Sequence, residues 1–170
     1  MIMSIKFKAA VITVSDKGYA GEREDLSGPT LVNVLEENGW EVAYRGLVPD
    51  EKEQIKEEYI KCVDEMDIPL IVSTGGTGFS PRDITPEAAK EVFEREAPGI
   101  GEAMRAESMK ITSRGMLSRS VAGLRKGSLI ITLPGSQKAS KECLEAVIEP
   151  VRHGVEILRK IDSDCGIFIK

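Results

Sequence analysis

The stretch Pro69-Leu-Ile-Val72, running straight into Ser73-Thr74-Gly75-Gly76-Thr77-Gly78, constrains this chain more than any other part of it. A short apolar, β-branched run reads as a buried strand. The glycines at 75, 76 and 78 then let the backbone turn its N–H groups toward an anion without interference from a Cβ. Further along, Thr85-Pro86-Glu87 has the chemistry of a helix start: threonine can cap, proline is pre-set for the first helical position, and an acid suits the first turn. A buried strand, a glycine loop and a helix N-terminus therefore follow one another, with the charged pair Arg82-Asp83 between loop and helix. Such a segment can hold a phosphorylated ligand and set a carboxylate, with or without a metal, beside it.

The rest of the chain repeats this alternation. Ala9–Val14 predicts a first buried strand, and the polar connection 15–28 is long enough to suggest a functional loop. A helix is expected from Pro29 to about Asn38, closed by Gly39, then a second strand over 40–44. Val48-Pro49-Asp50-Glu51 leads into a helix to about Met66, and 69–73 form the third strand. A helix from Pro86 to about Glu96 follows, with Pro98-Gly99 as a break and another helix over 100–110. Weak alternation over Met116–Leu124, the turn Arg125-Lys126-Gly127 and the apolar run Ser128–Leu133 predict a hairpin. Pro134-Gly135-Ser136 precedes a long helix from about Lys138 to Lys160, and residues 165–169 read as an edge strand or a docking segment. This order predicts an α/β fold, a three-layer α/β/α sandwich with a mostly parallel central sheet plus a small hairpin, forming one domain over 1–170.

In open α/β sheets ligands bind beyond the carboxyl ends of the strands. Ser15 and Asp16 fall there after strand one, Asp50 after strand two, Thr74 to Gly78 after strand three, and Pro134, Gly135 and Ser136 after the hairpin. The long loop adds Asp25, Ser27 and Gly28 to the same rim. Asp50 and Asp83 are the carboxylates to pair, since Mg²⁺ on nucleotide phosphates takes one or two carboxylates and keeps several waters. Each also has a plainer use, Asp50 as a helix cap and Asp83 as a turn residue. Ser118 and Arg119 suit either the surface or the pocket. Neither the GxxxxGK[ST] pattern nor GxGxxG at the first strand–helix turn occurs, which counts against ATPase and dehydrogenase readings.

Other classes drop out on composition. A net charge of −5 without a strongly basic stretch argues against nucleic acid. No apolar run approaches the ~20 residues that span a bilayer, and the first residues enter a strand without a cleavage pattern. Three scattered cysteines make no CxxC pair and suit a reducing cytoplasm; Cys62 and Cys143 sit in amphipathic patterns as packing residues. With His153 as the one histidine and no GxSxG elbow, neither a His/Cys zinc site nor a histidine-based triad is expected.

Taken in order, TVSDKGYAG, EDLSGP, VPDE, STGGTGFSPRDITPEA, PGIGEAMR, LSRSVAG and LPGSQKASKECLEAV resemble the MogA/MoaB family of molybdenum-cofactor biosynthesis, from about residue 9 to residue 160. VPDE, ITPEA and KECLEAV look closer to its MogA-type members, the molybdopterin adenylyltransferases. The resemblance implies Mg²⁺-dependent transfer of AMP from ATP to the terminal phosphate of molybdopterin, giving adenylyl-molybdopterin and pyrophosphate. It implies a cytoplasmic homotrimer that works with other cofactor-biosynthesis proteins. The same domain occurs in larger molybdate-insertion proteins, and the length here favours the free-standing enzyme. By position, Asp50 and Asp83 match the family's essential acids, Thr74, Gly75, Gly76 and Gly78 its nucleotide loop, and Asp16, Ser27 and Gly28 its first loop. Gly135 and Ser136 match the second glycine turn, and Ser118 and Arg119 a pterin-side block where the guanidinium would orient the pterin and its phosphate. The alternatives are a non-catalytic MoaB-like molybdopterin carrier, a competence-damage-type pyrophosphate hydrolase, and a purely structural oligomer.

Overall fold

Strands covered on both faces must be apolar throughout, and three of them set the layering here. The computed structural model describes residues 6–160. Within it β1 (Lys8–Val14), β3 (Leu70–Thr74) and β6 (Ser128–Leu133) are buried almost end to end. They occupy the middle of a six-stranded sheet completed by β2 (Glu41–Val48), β4 (Arg95–Glu96) and β5 (Ala122–Arg125), in the order β2-β1-β3-β6-β5-β4. The four strands from β2 to β6 run parallel, while β5 is antiparallel to β6 and β4 to β5. The predicted mostly parallel sheet with its hairpin is therefore present.

Alternate residues of the central strands feed two cores. On one face Ala9, Val11, Val72 and Ile131 pack against Leu31 and Leu35 of α2 (Ser27–Glu37), Met104 of α5 (Pro98–Ile111) and Leu144 and Val151 of α6 (Gln137–Leu158). On the other, Ala10, Ile12, Ile71 and Ile130 meet Ile55 and Tyr59 of α3 (Lys52–Ile60) and Ala88, Ala89 and Val92 of α4 (Thr85–Val92). A π turn, Lys61–Glu65, extends α3 and brings Cys62 into this second core. The first core takes Cys143, so both cysteines are packing residues as expected. No helix among the described residues is long and apolar enough to cross a membrane.

Several expected boundaries move, each for a tertiary reason. A short helix α1 (Asp16–Tyr19) occupies part of the long first loop, and α2 begins at Ser27 rather than Pro29. Pairing with β1 carries β2 on to Val48 instead of Tyr44. The helix expected to Glu96 stops at Val92, because Glu94 N–H donates to Leu124 O at 2.8 Å and Arg95–Glu96 join the sheet. Pro98 opens α5 rather than breaking the chain, as proline at the first helical position can. Met116 and Leu117 belong to a 3₁₀ turn, Ser113–Leu117, so the hairpin's first strand begins only at Ala122. The C-terminal segment 165–169 lies outside the described residues.

Parallel pairing gathers the carboxyl ends of β1, β2, β3 and β6 on one rim. There the chain leaves β3 between its neighbours. Gly75 N–H donates to Leu133 O at 3.1 Å, its φ is +105°, and a Cβ at this position would lie 2.1 Å from Val14 O. Only glycine fits that crossing. Gly75→Ala is expected to lower unfolding free energy by about 2 kcal/mol or more, through strain and forced displacement of β1. Urea denaturation checks this, and an unchanged midpoint would refute it.

Candidate active site

The rim is built first by carboxylates. Ser15 ends β1 and its Oγ accepts Gly18 N–H at 3.0 Å, capping α1 and turning Asp16 toward the end of β2. Asp16 N–H donates to Asp50 Oδ2 at 2.9 Å, and Asp50 N–H donates back to Asp16 Oδ1 at 3.0 Å. Asp50 is therefore not the cap of α3, whose first turn begins beyond Glu51 without a side-chain cap. Arg82 grips Asp16 with Nε and Nη2 at 2.9 and 3.0 Å and reaches Glu51 at 2.9 Å. The two aspartates respond in opposite directions. The Arg82 hydrogen bond holds the Asp16 carboxyl below its usual 3.8, whereas burial, with the charges of Asp16 and Asp83 adding, lifts that of Asp50 above it.

The glycine loop supplies the floor. Gly76 has φ +68°, and a Cβ there would stand 2.2 Å from Thr85 Oγ1 and 3.1 Å from Asp50 Oδ1. Its absence leaves a gap bordered by those two oxygens. Thr85 does not cap α4 as its sequence suggested; it already lies in the helix, and its Oγ1 is buried without a hydrogen-bond partner. A carboxylate burdened by neighbouring negative charge, next to an unpartnered buried hydroxyl, is a donor set of hard oxygens that fits a divalent cation such as Mg²⁺. Among the described residues no group of three or more His, Cys, Asp or Glu is arranged to hold a metal. A cation here would thus take the balance of its ligands from phosphates and water.

Two recesses open from this floor. The larger, about 540 Å³, runs from Ser15 and Asp25 across Gly75 to Ser136 and Gln137 at the start of α6. Such a volume suits a small-molecule ligand. The smaller, about 340 Å³, lies between Thr77, Gly78, Ser118 and Pro134. Gly76, Asp83 and Gly135 border both. Asp83 thus stands where the two meet, its Oδ2 held by Ser80 N–H at 3.0 Å.

Several predicted residues serve as fixings for this rim. Thr74 Oγ1 donates to Pro134 O at 2.6 Å and Ser27 Oγ to Gly135 O at 2.9 Å, tying the second glycine turn to the first. Asp25 accepts Gly28 N–H at 2.9 Å and Thr13 Oγ1 at 2.7 Å. Ser136 Oγ accepts Ala139 N–H at 3.1 Å and caps α6. Ser118 Oγ donates to Ser120 Oγ at 3.0 Å. Arg119 lines neither recess: its guanidinium donates to the carbonyls of Gly78 and Asp83, both at 2.8 Å, and pairs with Glu87. The cations that do line them, Arg23 in the larger and Arg114 in the smaller, went unrecognised in the sequence, as did Gln137. Arg23 sits inside the long first loop, which carried the one signal available, its length.

The family profile described as "Probable molybdopterin binding domain" matches residues 10–153. The chain belongs to that family. A molybdopterin adenylyltransferase of Helicobacter pylori (strain J99) is 45% identical over 151 residues, spanning 87% of this chain and 85% of the relative. The solved structure of the molybdopterin biosynthesis enzyme MoaB from Thermus thermophilus superposes with a TM-score of 0.87 at 43% identity, covering 91% and 97% of the two chains. MoaB from Pyrococcus furiosus, described as tungsten cofactor synthesizing, gives 0.84 at 37% identity, covering 92% and 99%. The MogA/MoaB resemblance of the motifs is thereby established, and the six-stranded, mostly parallel sheet is the architecture shared with these neighbours.

The raised carboxyl of Asp50 has a consequence for stability. A folded-state value above the unfolded one favours folding fully below about pH 3.8, and that contribution is lost as pH rises through the folded value. At neutral pH the charge therefore works against the fold. Asn at this position still offers a carbonyl to Asp16 N–H. Asp50→Asn should melt at a higher temperature than the parent near pH 7, with the gap narrowing toward about pH 4. Calorimetry at the two pH values checks it, and a lower melting point at pH 7 would count against the charge argument.

Proposed function

We propose that this chain is a molybdopterin adenylyltransferase, transferring AMP from ATP to the phosphate of molybdopterin. The observation that carries the reading is the placement of Asp83 on the wall common to two adjoining recesses, in a chain similar to enzymes of that name. In this reading the larger recess takes the nucleotide, with its phosphates over the glycine loop at Gly76, since the Gly75 N–H is already bonded to Leu133 O. The N-terminus of α6, a 22-residue helix, adds positive potential on the same side. The smaller recess takes the pterin, with its phosphate directed to the common wall. An oxygen of that phosphate bonds to the α-phosphorus of ATP as the bond to the bridging oxygen breaks, and pyrophosphate departs with both electrons of that bond.

Both reactants are anions, so charge management dominates such a step. Asp50 and Asp83 would hold Mg²⁺, which when bound neutralises phosphate charge and orients the leaving group. Arg82 keeps Asp16 turned to the rim, Arg114 offers a guanidinium to the pterin side, and Arg23 offers one to the nucleotide side. The reading is tested with purified protein, molybdopterin, ATP and Mg²⁺. Adenylylated pterin should form, and Asp50→Asn and Asp83→Asn should each reduce kcat about 100-fold or more while remaining folded. Tight pterin binding without product, where another adenylyltransferase works, would favour the carrier reading instead.

The resemblance also carries a homotrimer. Ile111, Met116 and Leu117 are exposed in one stretch of chain at the end of α5 and the following turn, the kind of apolar surface a subunit contact covers. Light scattering should give three times the chain mass, and Ile111→Lys with Met116→Lys should lower it. A monomer from the parent chain would refute the trimer.

A further inference from the structure

We propose that Arg119 is a positioning residue: it staples the segment that carries Asp83 to the sheet through backbone carbonyls, and does not itself bind a substrate phosphate. The segment 75–84 leaves β3 and re-enters the fold at α4. Its outer part is exposed, with Phe79 70% accessible. Its internal hydrogen bonds close on themselves: Asp83 N–H donates to Ser80 O at 2.9 Å, and Ser80 N–H returns to Asp83 Oδ2 at 3.0 Å. That ring ties Asp83 to the exposed turn; on either side of it Arg82 reaches Asp16 and Glu51, and Ile84 packs against the second core.

The attachment to the backbone of the loop itself comes from Arg119, in the extended run before β5. Its backbone N–H donates to Thr77 O at 2.9 Å. Its Nε donates to Gly78 O at 2.8 Å, Nη2 to Asp83 O at 2.8 Å, and Nη1 pairs with Glu87 Oε1 in the first turn of α4. A single guanidinium thus spans the loop from its glycine turn to its helix. The base of the staple is fixed in turn, since Val121 N–H donates to Thr132 Oγ1 of β6 at 2.8 Å and Arg105 of α5 donates to Ser120 O at 2.8 Å. Glu87 Oε2 is buried without a partner, so loss of Arg119 would leave the whole carboxylate without a compensating charge. Three acceptors in different directions match the planar fork of arginine, and an ammonium on a single stem cannot serve them together.

This inference rests on the adenylyltransferase reading for its kinetic consequence, because displacing a reacting group by ~1 Å can cost on the order of 100-fold in rate. The deciding variant is Arg119→Lys, which keeps the charge and removes the fork. It should lower kcat about 10- to 100-fold, leave KM for ATP and molybdopterin within about threefold, and speed amide hydrogen exchange across 77–84 with little change elsewhere. Glu87→Gln, which keeps an acceptor on Arg119, should show the same pattern more weakly and carries the test if the lysine variant does not fold. Raised KM with unchanged exchange would mean that Arg119 meets a substrate anion directly, and would overturn the proposal. So would faster exchange with a wild-type kcat. If the parent protein yields no adenylylated pterin, the functional reading falls on its own, while exchange across 77–84 still decides whether the staple exists.

Discussion

Asp16 and Asp50 each accept the other's backbone N–H, and the rim of the molecule is organised around that exchange. At the end of a parallel strand the next N–H has left the sheet and needs a partner from elsewhere. Here each strand end takes it from the side chain of the other. The exchange fixes β1 and β2 at their carboxyl ends and sets Asp50 on the wall of the larger recess, while Asp16, predicted to line the pocket, lines neither recess and is held by Arg82 instead. It also concentrates charge: Arg82 bonds Asp16 and Glu51, while Asp50 feels the charges of both Asp16 and Asp83. The two apolar layers beneath hold the strands against that repulsion. A residual negative potential is thereby kept beside backbone N–H groups that suit phosphates, which is the condition a cation–phosphate ligand satisfies.

Much of this was legible in the sequence because it depends on local chemistry. Buried parallel strands must be apolar, so β1, β3 and β6 stood out, and their ends placed Asp16, Asp50, Asp83 and the two glycine turns on one rim. Elements made by contact stayed hidden. Arg95–Glu96 become a strand through pairing with Leu124 and Gly123, and the end of β2, Arg45-Gly46-Leu47-Val48, carries a glycine that interrupts the strand signal of 40–44. The role of Thr85 was misread for a related reason: a threonine before Pro-Glu has the look of a cap, yet the helix already includes it and the hydroxyl faces the gap left by Gly76. For Arg119 the residues left surface and pocket open and the resemblance gave a pterin-side role; the carbonyls around its guanidinium have no signature in the local sequence.

The relatives of this chain include proteins described with molybdenum and one described with tungsten. No cysteine or histidine lines either recess among the described residues; carboxylates, hydroxyls and guanidinium groups stand in the walls beside apolar Val14, Leu26 and Leu117. Soft metals are distinguished by soft ligands and by geometry. Hard oxygens and N–H donors suit a phosphate and its counter-cation rather than a soft metal.

Two arginines flank Asp83 and have opposite characters. Arg82 has a side chain 54% exposed and contacts carboxylates, Asp16 and Glu51. A cation entering the acid cluster competes directly for those partners, and dissolved salt screens them. Arg119 is 32% exposed and contacts two carbonyls besides its carboxylate. Carbonyls carry no net charge, so those contacts depend less on surrounding ions than an exposed ion pair does. The loop therefore has one tie that ions can weaken and one built largely on backbone carbonyls, and Asp83 lies between the two.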